Sequence, residues 1–234
     1  MIRTGLYWSG AALLALVAIA IWASGALPDS GRIPLHWGLD GRPDRWGSPD
    51  EARLALYLFP AAAGLASIVF ALAPALDPFR DGLRKSAKAY LAAWLGMLAV
   101  LLATGAGVAW LLVSAAGDAD ARADGLLRVV AIAGGAMMIV LGNYLPKTRQ
   151  SFFLGIRTPW TLTSAIVWEK THRLAGPLFI AAGLVGLIAG ALLPGIWATA
   201  PLPIAALLAG LICVAYSFFA WRAASDRQTG PHFD

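Results

Sequence analysis

Apolar residues fall into six long blocks along the chain, separated by shorter polar segments. Each block holds about 20 residues, which is enough for a helix to cross the ~30 Å hydrocarbon core of a bilayer. Backbone polar groups in lipid must be satisfied within their own segment, so each block is predicted to be helical. The predicted spans are Leu6–Leu27, Arg53–Leu76, Lys88–Ala115, Leu126–Leu145, Leu174–Leu193 and Leu202–Trp221. The pattern predicts an all-α integral membrane protein, a six-helix transmembrane bundle.

Composition agrees with a membrane protein. Hydrophobic residues make up 59% of the chain and charged residues 13%, against roughly 25% charged residues in soluble domains. The single cysteine, Cys213, excludes an internal disulfide and a metal cage built from cysteines. The net charge of +5 does not indicate nucleic-acid binding, because basic residues of a membrane protein gather in its cytoplasmic segments.

Basic residues divide unevenly between two sets of polar segments. One set comprises the N-terminus, residues 77–88, residues 146–173 and the C-terminal tail, and the segments between them form the other set. The first set contains twelve basic residues, namely Arg3, Arg80, Arg84, Lys85, Lys88, Lys147, Arg149, Arg157, Lys170, Arg173, Arg222 and Arg227. The second contains six, namely Arg32, Arg42, Arg45, Arg53, Arg122 and Arg128. Because basic residues favour the cytoplasmic side, we expect both termini in the cytoplasm.

The first apolar block has two interpretations. Arg3, the apolar run and the small residues 23–25 fit a signal peptide. The apolar run is longer than a signal peptide needs, so we favour a retained membrane anchor. We divide the chain into an N-terminal helix pair, residues 1–76, and a four-helix region, residues 77–234.

Small and polar residues within the spans predict close packing. Gly186 and Gly190 have the spacing of a GxxxG motif, and Gly134 and Gly135 would let another helix backbone approach. The spans carry almost no ionisable residues away from their ends, which argues against a proton- or ion-coupled transporter. Hydroxyls such as Ser67, Ser114 and Ser217 are expected to bond back to their own helices.

The sequence contains none of the common catalytic motifs, including HExxH, GxSxG and phosphate-loop patterns. Glu169 and His172 have the Glu-x-x-His spacing of di-metal bundles, but a second such motif and further carboxylates are missing. We therefore predict a protein that is not an enzyme and that has no cofactor and no metal site. An enzyme acting on lipid headgroups, with His172 as base, stays open as a third hypothesis.

Residues 28–52 predict a small extracytoplasmic hairpin. Asp40-Gly41 is a turn signal between two short extended pieces, residues 33–37 and residues 42–46. A histidine and a carboxylate in the loop could hold a metal or sense pH, although a hydrogen-bonding role is the favoured interpretation. Tryptophans in the loop could anchor an amphipathic ligand. The candidate ligand-binding residues are His36, Trp37, Asp44 and Trp46.

Residues 146–173 form a polar connector. It holds more cationic and aromatic side chains than a membrane crossing requires. Pro146 is predicted to end the fourth helix, and residues 152–154 are too apolar for solvent, so they should dock onto the bundle or the membrane. Residues 161–164 offer hydroxyl caps for a helix on which Trp168 and His172 share a face.

The arginine side chains of this connector suit carboxylate or phosphate partners, although anionic lipid headgroups alone could explain part of the charge. The candidate partner-binding or signalling residues are Asn143, Lys147, Arg149, Arg157, Trp160, Trp168, His172 and Arg173.

Residues 142–176, which include GNYLPKTRQ, FFLGIRTPWT and KTHRLAG, resemble the signature of the SdpI family of bacterial membrane proteins. Residues 33–47, with IPLHW and GRPDRWG, resemble the N-terminal domain of unknown function that accompanies it. The resemblance implies a protein of the bacterial cytoplasmic membrane that confers immunity to a secreted killing peptide. It also implies a receptor that holds a soluble repressor at the membrane when the toxin is present.

Besides the enzyme hypothesis, the sequence favours two other classes of function. The first is a membrane immunity or receptor protein whose partners are membrane lipids, a secreted antimicrobial peptide and a cytoplasmic transcriptional repressor, with no direct binding to nucleic acid. The alternative is a transporter or channel for small molecules or lipids, which requires a polar path between the helices.

Overall fold

The computed structural model describes residues 1–38, 41–116, 118 and 121–226, and within these residues it is almost entirely helical. The helices are α1 (Ile2–Ala26), α2 (Pro49–Leu76), α3 (Arg80–Lys85), α4 (Ala87–Ala115), α5 (Asp124–Tyr144), α6 (Pro159–Leu162), α7 (Ala165–Leu192) and α8 (Pro201–Arg222). In this part of the chain, six helices are long and apolar enough to cross a membrane: α1, α2, α4, α5, α7 and α8. The predicted six-helix fold is confirmed.

Local capping explains why two spans begin earlier than hydropathy alone predicts. The Ser48 hydroxyl accepts from the backbone N–H of Glu51 at 3.2 Å, while the Glu51 carboxylate accepts from the Ser48 N–H at 2.7 Å. This reciprocal capping box starts α2 at Pro49. The Ser164 hydroxyl caps α7 through the N–H of Val167, so this helix includes a polar first section before the apolar span.

Polar segments collect at two ends of the bundle. At one end, the backbone N–H of Arg149 donates to the Ser86 hydroxyl at 2.8 Å, and residues 1–3 share a cavity with Arg80 and Arg84. We call this the basic end. The opposite end is the hairpin end, where the Gly195 N–H donates to Asp124 at 3.2 Å. The segments predicted to share one side thus lie at one end, although Arg227 is outside the described residues.

Helix α1 packs against both α2 and α4. The Trp94 indole N–H donates to the Ser9 hydroxyl at 3.0 Å, and the Trp94 ring stacks on Phe70 with centroids 5.4 Å apart. Gly5 leaves room for the same ring, because a Cβ there would lie 2.4 Å from its carbon atoms. The core of α1, α2 and α4 therefore crosses the predicted division at residue 76.

Helices α5 and α7 approach each other closely through glycines. A Cβ on Gly135 would lie 2.7 Å from the carbonyl oxygen of Gly183, and one on Gly142 would lie 2.7 Å from that of Gly176. Such distances are too short for a methyl group, so glycine is required at this crossing. The small residues predicted to pack closely do so inside a single bundle.

Hydroxyl groups within the spans bond back to their own helices, as predicted. Ser67 donates to Ala63 O at 2.6 Å, Ser114 to Trp110 O at 2.7 Å and Ser217 to Val214 O at 2.7 Å. These polar groups are satisfied locally and do not depend on a water-filled path.

A two-stranded antiparallel hairpin covers the hairpin end. Strand β1 (Ile33–Trp37) agrees with the predicted bounds, and β2 (Pro43–Gly47) begins one residue later than predicted. Gly41 has φ +76°, a conformation that glycine adopts without a steric penalty. The other residue of the predicted turn, Asp40, lies outside the described residues. Ile33 is fully buried and fixes the hairpin to the bundle.

Candidate functional site

The hairpin presents a histidine–aspartate pair to solvent. His36 Nδ1 lies 2.5 Å from Asp44 Oδ1, and the side chains are 63% and 50% exposed. Among the described residues, no group of three or more histidine, cysteine or acidic side chains could hold a metal ion. The pair is therefore a surface hydrogen bond, in line with the interpretation favoured from the sequence.

The two tryptophans of the hairpin have different environments. The Trp37 indole N–H donates to the carbonyl of Ala121 at 2.9 Å, and its ring packs on the apolar core formed by α1, α2 and α4. Trp37 therefore anchors the hairpin to the bundle. Trp46 is partly buried and pairs with Pro34 across the strands. Of the predicted outer site, His36 and Asp44 are exposed, and Trp37 and Trp46 are each partly buried.

His172 is fully buried and holds the middle of the connector. Its Nε2 accepts from the backbone N–H of Ile156 at 2.8 Å, so Nε2 carries no proton, and Nδ1 donates to the Trp168 carbonyl at 2.8 Å. These two bonds define a neutral imidazole with one tautomer. Neither ring nitrogen is free to act as a base, so the site that the third hypothesis requires is not formed by this residue.

Trp168 holds the beginning of the connector. Its indole N–H donates to the Thr148 carbonyl at 3.2 Å, and its ring stacks on His172 with centroids 4.0 Å apart. The predicted shared face of Trp168 and His172 is confirmed. Both side chains are buried. They position the connector from within.

A buried carboxylate that sequence reasoning missed fixes the apolar part of the connector. Asp77 is 1% exposed and accepts from the Ser151 hydroxyl at 2.7 Å. It also accepts from the backbone N–H groups of Phe152 and Phe153, and from that of Phe79 at 2.7 Å. The side chains of Phe153 and Leu154 then pack against the core of α1, α2 and α4. Docking onto the bundle is therefore observed for residues 153 and 154, whereas the Phe152 side chain is 48% exposed.

The C-terminal part of α8 and the residues that follow it contact the same connector. The Ser217 hydroxyl lies 3.1 Å from that of Thr158, and Asp226 accepts from the Ser164 hydroxyl at 2.5 Å and from the Ile166 N–H at 3.1 Å. Partial burial raises the pKa of Asp226, but the hydrogen bonds from Ser164 and Ile166 outweigh this and hold its pKa below the usual range. The carboxylate is therefore ionised at neutral pH.

Most of the remaining predicted residues lie on the surface of the basic end. Lys147 Nζ donates to the side-chain oxygen of Asn143 at 3.3 Å, and the Arg157 guanidinium donates to the Phe152 carbonyl at 2.8 Å. Arg173 lies 4.0 Å from Glu169. The structure does not bring these exposed groups together into one site.

Trp160 is also separate from the exposed cations. Its ring meets Phe218 edge-on, with centroids 5.1 Å apart. Trp160 therefore packs the short helix α6 against α8.

A cleft at the basic end combines predicted and unpredicted residues. It has a volume of about 740 Å³ and lies between α3, the connector and the first turn of α7. Its charged lining residues are Arg80, Asp81, Lys85, Arg149 and Glu169. Mixed charges around an open cleft suit a polar segment of another protein better than a simple anion.

Sequence reasoning missed Asp77, Ser86 and Asp226, each of which holds a connector residue. An acid beside a proline after an apolar span, as in Asp77-Pro78, looks like an ordinary helix end. Its partners in the connector lie 74 to 76 positions further along the chain. No local pattern could therefore reveal the pairing.

Six membrane-length helices, an ordered connector at one end and a hairpin at the other define a multi-pass membrane protein with two polar faces. Residues 147–217 match the model of the SdpI/YfhL protein family, and residues 11–63 match that of a domain of unknown function, DUF1648. These matches confirm the resemblance to that family and to its accompanying domain seen in residues 142–176 and 33–47.

One curated relative is the immunity protein SdpI of Bacillus subtilis (strain 168), which is 30% identical over 57 residues. That segment spans 24% of this chain and 28% of the relative, so the similarity covers well under half of either protein. No solved structure matches the chain.

Proposed function

We propose that this protein is an immunity protein of the bacterial cytoplasmic membrane, which protects the cell from a secreted membrane-active peptide. The observation that carries the proposal is that the family match begins at Lys147, at the start of the connector that the bundle holds in place. The immunity protein of Bacillus subtilis shares part of the sequence. A carefully fixed connector is unnecessary for crossing a bilayer, so it supports a role beyond anchoring.

The basic end faces the cytoplasm in this proposal, and the hairpin faces the outside. Support comes from the clustering of basic residues at one end, which also contains both described chain ends. The peptide would meet the hairpin surface formed by His36, Asp44 and Trp46.

A survival assay tests protection. Expression of the chain in a sensitive bacterial strain is expected to raise survival against at least one membrane-active cationic peptide. Trp46→Ala is expected to weaken peptide binding by about 30-fold, the typical loss of an aromatic anchor worth about 2 kcal/mol. The measurement is the peptide concentration that halves growth, with equal protein levels verified by immunoblot.

Trp197→Ala is the matched control, because Trp197 is a 63% exposed tryptophan in a different loop of the hairpin end. It should retain protection. Unchanged survival of the parent strain across a broad peptide panel would refute immunity. Equal losses in both variants would refute a ligand site on the hairpin.

We also propose that the 740 Å³ cleft recruits a cytoplasmic repressor. Arg149 is the best probe, because its side chain is exposed and lines the cleft while its backbone alone makes the contact with Ser86. Arg157 is less suitable, because its guanidinium holds the Phe152 carbonyl.

Arg149→Ala is expected to weaken the binding of a membrane-held repressor by about 10- to 150-fold, since a charge-assisted contact contributes roughly 1.5–3 kcal/mol. The measurement is fractionation of a candidate regulator between membrane and cytosol. Lys170→Ala removes an exposed charge of the same end that does not line the cleft, and it should leave recruitment intact. If Arg149→Ala retains the regulator as fully as Lys170→Ala, the cleft is not the docking site.

A further inference from the structure

A second cavity at the basic end has a lining that differs from that of the cleft. It has a volume of about 570 Å³ and is lined by Met1, Ile2, Arg3, Pro74, Arg80 and Arg84. Three of its six lining residues are arginines, and none is acidic. In the part of the chain that the structure describes, neither Arg3 nor Arg84 forms an ion pair with a carboxylate. Three neighbouring guanidinium groups without an acidic partner favour a bound anion.

An apolar groove continues from this cavity along the lipid-facing side of the same helices. It has a volume of about 500 Å³, lies between α1 and α2, and is lined by residues that include Leu6, Gly10, Leu13, Gly64, Ile68 and Leu72. Leu6 lies one turn beyond Ile2 on α1, and Leu72 immediately precedes the turn that contains Pro74 on α2. The cationic cavity and the apolar groove therefore join end to end.

Glycines give the groove its depth. A Cβ on Gly10 would meet no atom within 4 Å, and one on Gly64 would meet only Leu13, at 3.8 Å. The protein itself therefore leaves this space unfilled. An empty apolar channel between two helices in a bilayer is filled by acyl chains, because hydrocarbon is the surrounding solvent.

We propose that the cavity and groove together form a binding site for an anionic phospholipid. The phosphate would lie among Arg3, Arg80 and Arg84, and an acyl chain would follow the groove past Gly10 and Gly64. Basic pockets between transmembrane helices suit phosphate headgroups, and the groove supplies the apolar surface that a free phosphate could not use. This site is separate from the hairpin, and it shares Arg80 alone with the cleft of the proposed function.

Native mass spectrometry of the full-length protein, in mild detergent with equal amounts of phosphatidylglycerol and phosphatidylcholine, tests the site. The unmodified protein should retain phosphatidylglycerol preferentially. Arg3→Gln with Arg84→Gln should reduce that preference by up to about 25-fold, taking about fivefold for each basic residue at a membrane surface. Arg80 is kept, because it also donates to the Ala75 carbonyl at 3.0 Å.

The charge control is Lys88→Gln with Lys170→Gln, which removes the same charge from exposed positions that line neither the cavity nor the groove. It should keep the preference. Equal losses in the two double variants would mean general attraction to the surface and would overturn the proposal. Full displacement of the lipid by inorganic phosphate would assign the arginines to a free anion and would also overturn it.

The groove has its own test. Gly10→Leu extends a side chain into the groove from a position where a Cβ meets nothing within 4 Å, and it should lower phosphatidylglycerol retention although all three arginines remain. Gly210→Leu makes the same change on α8, where a Cβ also meets nothing within 4 Å, and it should have no effect. Equal retention in both variants would show that no acyl chain uses the groove.

Discussion

Replacement of Asp77 by asparagine is expected to release the connector from the bundle. The buried carboxylate accepts from the Ser151 hydroxyl and from the N–H groups of Phe152 and Phe153. Each hydrogen bond to a charged group contributes roughly 1.5–3 kcal/mol, and the asparagine amide would face these donors with donors of its own. We expect the local opening of residues 148–158 to become easier by about 3 kcal/mol, which corresponds to an opening about 100-fold more frequent.

Limited trypsin digestion measures this opening, because Arg157 is a cleavage site within the fixed connector. Its appearance as a new fragment end can be followed by mass spectrometry. Asp81→Asn is the matched control, since Asp81 is an exposed acid four positions further on and accepts none of these bonds. Identical cleavage rates in the two variants would show that Asp77 does not hold the connector.

Replacement of Gly183 by alanine is expected to destabilise the crossing of α5 and α7. The new methyl would lie 2.5 Å from the carbonyl oxygen of Gly135 and 2.9 Å from the backbone nitrogen of Ile139. Backbone atoms cannot yield without moving a helix, so we expect a loss of about 2–3 kcal/mol in the free energy of unfolding. Unfolding by sodium dodecyl sulfate in mixed micelles, followed by tryptophan fluorescence, measures it.

Gly210→Ala provides the comparison for the alanine itself. A Cβ at Gly210 meets nothing within 4 Å, so the substitution adds helix propensity without a clash and should leave stability unchanged or slightly raised. If Gly183→Ala unfolds at the same detergent fraction as Gly210→Ala, close backbone contact does not stabilise the bundle.

Hydropathy and local chemistry predicted the elements of the fold because these depend on neighbouring residues. The six spans, the hairpin strands and the cap at Ser164 all follow from patterns of fewer than 30 positions. Span starts were less accurate where capping extends a helix, as at Pro49, since a hydropathy window cannot count polar first turns.

The candidate sites were harder to predict, because composition does not show which way a side chain points. His172 and Trp168 look like ligand-binding residues in sequence, yet their hydrogen bonds are directed into the connector. Trp37 and Trp46 look equivalent in the sequence. Only the structure shows that Trp37 anchors the hairpin, through its hydrogen bond to the Ala121 carbonyl. These distinctions depend on contacts between distant segments.

Helix α2 begins at the capping box beside the hairpin and ends at the carboxylate that holds the connector. It is one unbroken element of 28 residues, about 42 Å long at 1.5 Å per residue. A tilt of α2 therefore moves its attachments at the hairpin end and at the basic end together. The hairpin and the connector are thus mechanically coupled through a single helix.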